Sequence, residues 1–335
     1  MSQIIRAAFC GAGGIVRGNH LPNLEMRPEQ YAVAGFYDLF ADKAEEMAKG
    51  KYKVYASYEE LLNDDTVDLV IIATKPLSTH FPAAKQALEA GKNVLLEKPM
   101  AETVAQCDEL IALAKKNNRV LTVHQNRRLD LDFLSLQSVI AQGKLGDVRL
   151  IENRVMYNNY EPSDLVDWGV HLVDQSLVLN NSPLTEVSTV MAYPGKGMED
   201  GGYFDATLRF AEGPAIRVAM LPRPTECIIN GTPPLARFYA IGTKGSFVQR
   251  IIEDPRDLLN ATQNFDNAHP EYKVPDFLKV IQKGYYDYLY ETLTQGKSLL
   301  VKPEEARNAM RLIELISDSA KTNCTVKASG MISVS

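Results

Sequence analysis

The fold is decided by the stretch Ile4-Ile5-Arg6-Ala7-Ala8-Phe9-Cys10-Gly11-Ala12-Gly13-Gly14, in which an apolar run of strand length leads into a glycine-rich turn. When a helix follows such a turn, the first glycine permits the tight bend and the second lets a pyrophosphate approach the backbone. The helix N-terminus then supplies N–H donors to the phosphates. The third position of the Gly-x-Gly-x-x-Gly pattern is Val16, so an ordinary turn is the alternative. We predict that Gly11, Gly13 and Gly14 bind a dinucleotide.

An acidic residue ends the second predicted strand, where the apolar run 33–37 is followed by Asp38. A carboxylate at this position can accept hydrogen bonds from the adenosine ribose hydroxyls, and it repels a 2′-phosphate. No Arg occurs in Leu39-Phe40-Ala41, so the sequence favours NAD over NADP as the cofactor, although NADP is not excluded. The alternative is an aspartate that only caps a turn.

Strands and helices alternate from Ile4 to Val123. Apolar runs typical of parallel strands covered on both faces occur at residues 69–73, 93–96 and 120–123, and helical patterns occur at 42–48, 81–90 and 104–117. This alternation predicts an α/β fold with a doubly wound parallel sheet, that is, a Rossmann domain over residues 1–123.

The pattern changes after residue 124. Strand-like runs occur at residues 148–157, 187–191, 203–210, 215–220 and 236–241, and helices are indicated at 165–179, 277–295 and 303–322. We predict that residues 124–335 form an α+β domain with a large, open, mostly antiparallel sheet. Because such a sheet leaves one face uncovered, we expect a homo-dimer or homo-tetramer formed through it.

The tripeptide Glu97-Lys98-Pro99 closes the apolar run 93–96. Open α/β sheets bind their ligands outside the carboxyl ends of the strands, and Lys98 stands at such an end. The proline restricts the backbone of Lys98 and removes one N–H donor. We predict that the ammonium of Lys98 faces a ligand crevice, and the alternative is an ordinary solvated lysine.

A second cluster of polar residues lies in the predicted helix 165–179. Asp167, His171 and Asp174 have the spacing that places side chains on one helix face, so the carboxylates can orient the imidazole as an acid or base. Gly169 in mid-helix predicts that something packs closely against it. No further His or Cys lies nearby, so no metal is predicted. The alternative is a structural histidine bonded to a carboxylate.

Composition limits the possible functions. The chain has 335 residues, 45% of them hydrophobic and 23% charged, which suits a globular protein of two domains. The net charge of -6 argues against nucleic acid as a partner, and no apolar stretch has the length of a membrane span. The N-terminus lacks the pattern of a signal peptide, and the four cysteines are widely spaced, so we expect a cytoplasmic protein.

The following motifs are spread over nearly the whole chain: Gly11-x-Gly13-x-Ile15 with His20, Lys75-Pro76 with His80, Ala90-Gly91-Lys92, Glu97-Lys98-Pro99, His124-Gln125-Asn126-Arg127-Arg128, Gly143-Lys144-Leu145-Gly146, Asp167-x-x-x-His171-x-x-Asp174 and Pro303-Glu304-Glu305-Ala306. With them the chain resembles the glucose–fructose oxidoreductase, inositol dehydrogenase and rhizopine-catabolism (Gfo/Idh/MocA) family of nicotinamide-dependent oxidoreductases. The runs 126–130 and 171–175 are most similar to the branch that holds scyllo-inositol dehydrogenases.

The resemblance implies a catalytic trio of Lys98, Asp167 and His171. The implied cofactor contacts are Gly11, Gly13, Gly14, Ile15, Asp38, Thr74, Pro76, His80, Glu97 and Lys98. The implied substrate contacts are Lys98, Arg127, Tyr157, Asp167 and His171, with Arg128 as a further candidate for the pocket rim. We expect the ammonium of Lys98 and the imidazole of His171 to face one cleft.

The implied activity is hydride transfer between a nicotinamide cofactor, NAD or NADP, and a secondary alcohol or ketone of a sugar, an inositol or a related polyol. Two departures from the family leave the substrate open: Lys75-Pro76 replaces a frequent Thr-Pro, and Ser163-Asp164-Leu165 replaces a frequent pair of glycines. The alternatives are a non-catalytic dinucleotide-binding sensor of the same fold and a reductase of a non-sugar carbonyl compound. A sensor need not keep the catalytic trio, and this chain has all three residues.

Overall fold

The structure is a computed structural model, and it describes residues 3–157, 164–192, 203–222, 236–250 and 283–334. The chain divides into two compact units. The first unit comprises Met1–Gln125, Lys283–Met310 and Ile332–Ser335. The second unit comprises Asn126–Gln282 and Arg311–Met331.

The first unit is built on a six-stranded sheet in which all neighbouring strands run parallel. Its strands are β1 (Ile5–Cys10), β2 (Tyr31–Tyr37), β3 (Lys53–Val54), β4 (Leu69–Ile72), β5 (Asn93–Leu96) and β6 (Leu121–Val123). The order is β3-β2-β1-β4-β5-β6, so the chain builds outward from β1 on one side and then on the other. The predicted doubly wound parallel sheet is confirmed. A ligand crevice is expected where the order reverses, at the carboxyl ends of β1 and β4.

The central strands are largely apolar because helices cover the sheet. The side chains of Phe9 and of all four residues of β4 are fully buried. The helices of this part of the chain are α1 (Leu21–Glu25), α2 (Ala41–Ala48), α3 (Tyr58–Leu62), α4 (His80–Glu89) and α5 (Val104–Lys116). Helix α5 begins at a capping box, in which the hydroxyl of Thr103 accepts the N–H of Gln106 and the Gln106 side chain accepts the N–H of Thr103.

The second unit is built on a seven-stranded sheet. Its strands are β7 (Val148–Tyr157), β8 (Leu184–Ala192), β9 (Tyr203–Phe210), β10 (Ala215–Pro222), β11 (Ala236–Gly242), β12 (Ser246–Arg250) and β13 (Val326–Lys327), in the order β12-β11-β7-β10-β9-β8-β13. Only the neighbours β7 and β10 run parallel. In β9 the side chains of Phe204, Ala206 and Leu208 are buried and alternate with more exposed ones. The predicted mostly antiparallel sheet with one covered face is confirmed.

The helices α6 (Leu131–Ala141), α7 (Asp164–Asp167) and α8 (Gly169–Leu179) belong to the second unit. The prediction of one continuous helix over 165–179 is wrong, because the helix is interrupted at Trp168. The N–H of His171 donates to the carbonyl oxygen of Trp168 at 3.1 Å, a bond over three residues instead of four. Asp167 therefore ends one helix, and His171 lies in the first turn of the next.

Close packing explains the glycine at the start of α8. A methyl group at Gly169 would approach Leu165 Cδ1 to 3.3 Å and Phe204 Cε1 to 3.5 Å. The close approach that we predict at this glycine is confirmed. Helix α8 is also tied to the sheet, since Asn153 Nδ2 in β7 donates to the carbonyl oxygen of Leu172 at 2.9 Å.

The last helices are α9 (Tyr285–Gln295) and α10 (Pro303–Thr322). Helix α9 belongs to the first unit. The hydroxyl of Tyr285 donates to the carbonyl oxygen of Val123 at 2.8 Å, and the hydroxyl of Tyr31 donates to the carbonyl oxygen of Tyr286 at 2.8 Å. We predicted a single boundary at residue 123, with all later residues in the second domain. The structure instead assigns Lys283–Met310 to the first unit. The amphipathic pattern of a helix shows that one face is buried but not which core receives it. Among the described residues, no helix combines the length and the apolar character that a membrane span requires.

Candidate functional site

A cavity of about 520 Å³ opens in the first unit at the carboxyl ends of β1 and β4. Its walls include Gly11, Gly13, Asp38, Thr74 and Lys75. This is the position that the reversal of strand order predicts for a ligand. Residues on both sides of the reversal line one cavity, although they lie more than sixty positions apart in the sequence.

The glycine turn fits a phosphate group. Gly11 has a φ of +102°, and a Cβ at this residue would lie 2.4 Å from the carbonyl oxygen of Ala73, so only glycine is accommodated. Gly13 and Gly14 have no atom within 4 Å of the place where a Cβ would be, so their backbone faces open space. The following helical turn, Val16–His20, has Ile15 at its N-cap without a side-chain hydrogen bond to the cap. The turn therefore leaves room for a pyrophosphate close to the main chain.

Asp38 connects the end of β2 to the glycine turn. Its Oδ2 accepts the N–H of Ala12 at 2.7 Å, and its Oδ1 accepts the N–H of Phe40 at 3.0 Å. The second of these bonds is the turn cap that we considered as the alternative for this residue. Each carboxylate oxygen retains a further lone pair, so Asp38 can also accept a ribose hydroxyl. Ribose binding by Asp38 stays a prediction.

Two lysines give the cavity a positive side. Lys43 and Lys75 both line it, and the ammonium of Lys43 lies 4.5 Å from the centroid of the Phe40 ring. Lys43 was not predicted, because it lies beyond the three residues that follow Asp38. The signal that would have found it is the first turn of α2, which begins at Ala41 and faces the same strand ends.

His80 joins the loops that follow β4 and β5. Its Nδ1 lies 2.8 Å from the carbonyl oxygen of Pro99, and its Nε2 lies 3.0 Å from that of Thr74. Thr74 also accepts a hydrogen bond from the hydroxyl of Thr79 at 2.6 Å. The predicted cofactor residues of these loops are thus held together, with His80 buried beneath the segment that contains Pro76.

The carboxylate of Glu97 points into the first unit. Glu97 is only 6% exposed, and its Oε1 is bonded to the imidazoles of His20 and His124. The neighbouring Lys98 is half-buried at the end of β5. The two histidines occur in motifs that we identified, but their contact with Glu97 was not predicted.

The second unit places His171 and Arg127 against one indole, that of Trp168. Trp168 lies between Asp167 and His171 along the chain, and the rings of Trp168 and His171 meet edge to face with centroids 6.2 Å apart. The guanidinium of Arg127 lies 4.8 Å from the centroid of the same indole. His171 is 7% exposed, and Asp167 is half-buried. Three of the predicted substrate residues are therefore neighbours within one unit.

Arg128 and Asp174 form a buried ion pair. Nε and Nη2 of Arg128 donate to the two carboxylate oxygens of Asp174 at 2.8 and 2.6 Å. Their side chains are 7% and 2% exposed. Asp174 therefore holds α8 against Arg128, although we predicted that it would flank His171, and Arg128 does not form a pocket rim but lies in the core.

The predicted residues fall into two groups. The cofactor residues and Lys98 belong to the first unit, and Asp167, His171, Arg127 and Tyr157 belong to the second. Tyr157 is the last residue of β7 and is paired with Pro222 of β10, while its side chain lies outside the described residues.

Two family models match this chain. The model described as "Oxidoreductase family, NAD-binding Rossmann fold" matches residues 5–125, and the model described as "Oxidoreductase family, C-terminal alpha/beta domain" matches residues 137–328. The second match alone spans more than half of the chain.

Known proteins are similar over nearly the same extent. The uncharacterized oxidoreductase YhhX of Escherichia coli strain K12 is 31% identical, over 93% of this chain and 96% of its own. The scyllo-inositol 2-dehydrogenase (NADP(+)) IolW of Bacillus subtilis strain 168 is 29% identical over 82% of each chain. The crystal structure of an oxidoreductase from Bacillus cereus superposes with a TM-score of 0.79 at 27% identity, covering 96% of this chain and 98% of that one. From the matched models, the strand order and the glycine turn together, we conclude that the protein belongs to the Gfo/Idh/MocA oxidoreductase family and carries an NAD-binding Rossmann domain.

Proposed function

We propose that the protein is a nicotinamide-dependent dehydrogenase that oxidises a secondary alcohol of an inositol, a sugar or a related polyol, or reduces the corresponding ketone. The observation that carries the proposal is the cavity at the carboxyl ends of β1 and β4, where an open glycine turn and a strand-end aspartate lie together. The name of the relative IolW, a scyllo-inositol 2-dehydrogenase, supports the choice of a polyol.

The residues present fit a dinucleotide. Gly11, Gly13, Gly14 and Ile15 would hold the pyrophosphate at the turn, and Asp38 would accept the adenosine ribose hydroxyls. Thr74, Pro76, His80, Glu97 and Lys98 would form the part of the site that follows β4 and β5. When bound, the nicotinamide ring supplies the hydride acceptor or donor. We propose NAD as the preferred cofactor because Asp38 repels a 2′-phosphate, and Lys43 and Lys75 make NADP binding possible.

Three side chains would carry the remaining chemistry. His171 would take the hydroxyl proton during alcohol oxidation and return it during ketone reduction. Lys98 would donate a hydrogen bond to the same substrate oxygen and stabilise the negative charge that develops there. Asp167 would orient His171 or bind a neighbouring hydroxyl.

Arg127 and Tyr157 would contact the remainder of the substrate. Polyols present several hydroxyl groups, and a guanidinium offers five N–H donors to them. Arg127 already has a defined position, because it stacks on Trp168 and pairs with Asp130 at 3.2 Å.

The outer face of the second sheet would form a homo-oligomer interface, either a dimer or a tetramer. Val190 and Val248 are 63% and 61% exposed on this sheet. Between them, Arg217 is paired with Asp205 and Glu152 on the same face. A two-fold interface can match such a mixed pattern with itself.

We also keep a cytoplasmic location as a prediction from the spacing of the cysteines.

The test is a screen of purified protein against inositols, other polyols and sugars, with NAD and NADP in separate series, read by the absorbance of the reduced cofactor. We expect turnover with at least one polyol and a rate lower by about 10²–10⁴-fold with His171→Ala. Non-sugar ketones with reduced cofactor form a second panel, and turnover there alone would favour the reductase. Tight cofactor binding without turnover on either panel would favour the non-catalytic sensor.

A further inference from the structure

Three of the chain's five histidines lie buried around the backbone of Lys98. His20 and His124 bond to Glu97, the residue before Lys98, and His80 bonds to the carbonyl oxygen of the residue after it. We propose that these three histidines and Glu97 are positioning residues, which hold Lys98 in the place where it acts on the substrate. This inference rests on the proposed catalytic role of Lys98.

The bonds on the N-terminal side of Lys98 converge on the carboxylate of Glu97. Its Oε1 accepts from Nε2 of His20 at 2.8 Å and from Nδ1 of His124 at 2.7 Å, and its Oε2 accepts the backbone N–H of Lys98 at 3.2 Å. The hydroxyl of Tyr286 donates to Nδ1 of His20 at 2.6 Å and thereby fixes which ring nitrogen carries the proton. Each member of the network is held by a neighbour, so the carboxylate has one orientation.

The charges of the network agree with this arrangement. Burial by itself would raise the pKa of Glu97, but the hydrogen bonds from His124 and His20 outweigh burial and hold the pKa well below its usual range. Burial, followed by the charge of His124, lowers the pKa of His20. Burial keeps the pKa of Tyr286 well above its usual range, so its hydroxyl remains a donor. Glu97 therefore stays an anion that can accept all three N–H groups.

The bonds on the C-terminal side come from His80. Its two ring nitrogens lie 2.8 Å from the carbonyl oxygen of Pro99 and 3.0 Å from that of Thr74. The loop after β5 is thus attached to the loop after β4, and Lys98 stands between two anchored residues.

A metal ion is the alternative occupant of the network, because one ligand atom from each of His20, Glu97 and His124 lies within 4.8 Å of the others. Ligands at about 2.0–2.1 Å from a tetrahedral zinc ion are about 3.3 Å apart. The observed separations of 2.7 and 2.8 Å between nitrogen and oxygen are those of hydrogen bonds. The geometry favours shared protons.

Packing alone does not explain the network. Replacing a buried group of charges by apolar residues of similar volume is often neutral or stabilising, so such a group is a poor way to fill a core. Here the hydrogen bonds converge on the backbone of one lysine and on its two neighbours. The remaining bonds, between Tyr286 and His20 and between His80 and Thr74, hold the histidines that make them. A displacement of about 1 Å in a catalytic group can cost about 10²-fold in rate, which is the loss that fixed supporting residues prevent.

The first experiment needs no substrate. It compares hydrogen exchange of the Lys98 backbone amide, followed by NMR, in the wild type, Glu97→Gln and His80→Gln. A glutamine at position 97 has one donor end, so it cannot accept from both imidazoles and from Lys98 at once. We expect the exchange rate of this amide to rise at least about tenfold in both variants. The matched control is Tyr31→Phe, which removes a buried hydroxyl of the same cluster whose partner is a backbone carbonyl oxygen.

The second experiment is a double-mutant cycle on the best substrate found. Glu97→Gln should lower kcat by about 10²-fold, and it should have little further effect in a Lys98→Met background. Equal losses in both backgrounds would show that Glu97 does not act through Lys98 and would overturn the proposal. Wild-type exchange at Lys98 in both single variants would overturn it as well, as would one equivalent of zinc in the purified protein.

The two experiments separate this inference from the proposed function. If the wild type turns over no substrate, the proposed function fails, while the exchange rates still decide whether Glu97 and His80 hold Lys98. If the wild type is active and the exchange rates do not change, the positioning role alone fails. If Glu97→Gln does not fold, His80→Gln still tests the hold on Lys98 from its C-terminal side. If His80→Gln does not fold, Glu97→Gln tests it from the N-terminal side.

Discussion

Asp38 offers the sharpest test of cofactor choice. We expect Asp38→Ser to narrow the preference for NAD over NADP, because the carboxylate repels a 2′-phosphate. Two unit charges about 4 Å apart interact by about 1 kcal/mol in water and about 4 kcal/mol at an effective dielectric constant of about 20. Asp38 is half-buried. We therefore expect Asp38→Ser to lower the ratio of the Kd for NADP to the Kd for NAD by about 5- to 150-fold, which corresponds to about 1–3 kcal/mol.

The structure adds a second effect of the same substitution. Asp38 also accepts the N–H of Ala12 at 2.7 Å, so its loss loosens the glycine turn. A hydrogen bond to a charged group contributes about 1.5–3 kcal/mol, and its loss should weaken the binding of NAD and NADP alike. The ratio of the two constants cancels this shared loss, which is why the ratio and not either constant alone measures the repulsion.

The assay is a fluorescence titration of the wild type and Asp38→Ser with reduced NAD and reduced NADP. The matched control is Asp42→Ser, which removes the same charge from an exposed position of α2 that does not line the cavity. An unchanged ratio in Asp38→Ser, or an NADP preference in the wild type, would refute the reasoning.

Three further outcomes follow from the contacts described above. His171→Ala and Lys98→Ala should each lower kcat by about 10²–10⁴-fold in steady-state assays, and cofactor binding by His171→Ala should stay near the wild-type value. Lys98→Arg should not restore the rate, because a guanidinium is longer and planar. Asp174→Asn should lower the free energy of unfolding in urea by about 3 kcal/mol, because Arg128 stays buried without its counter-charge, and Arg128→Met with Asp174→Leu should regain most of it. Burial raises the pKa of Asp130 to about 6. Between the unfolded value of about 3.9 and that pH, the unfolded chain therefore holds fewer protons than the folded one, and the free energy of unfolding falls as pH rises. Asp130→Asn should remove this contribution to the pH dependence, and a variant with the wild-type difference in stability between pH 4 and pH 7 would contradict the prediction.

The sheet strands could be predicted because burial leaves a direct mark on the sequence. The run that became β4 is continuously apolar, β5 is apolar after Asn93, and the limits predicted for β9 agree with the structure. Helix α6 was missed because apolar residues at 131, 133, 134, 136, 139 and 140 give no clear helical period. The break at Trp168 was missed because no Gly or Pro stands at the position where the helix is interrupted.

The site could be predicted less fully than the fold. The glycine turn and Asp38 carry local signals, and the structure brings them into one cavity. The partners of Glu97 come from the segments after β1 and β6, and only the strand order makes them neighbours. The pairing of Asp174 with Arg128 likewise joins residues from two different elements, and helix spacing alone could not reveal it.

The place of α9 in the first unit has a consequence for synthesis of the chain. Tyr286 is almost completely buried beside His20 and Tyr31, so the unit that begins at the N-terminus is closed by residues near position 286. On the ribosome, β1 to β6 emerge long before α9 does, so the place that Tyr286 fills beside His20 and Tyr31 stays empty until then. A fragment ending at residue 123 would leave the same place empty permanently, so the N-terminal unit is expressed as a stable module only when the α9 segment is supplied with it.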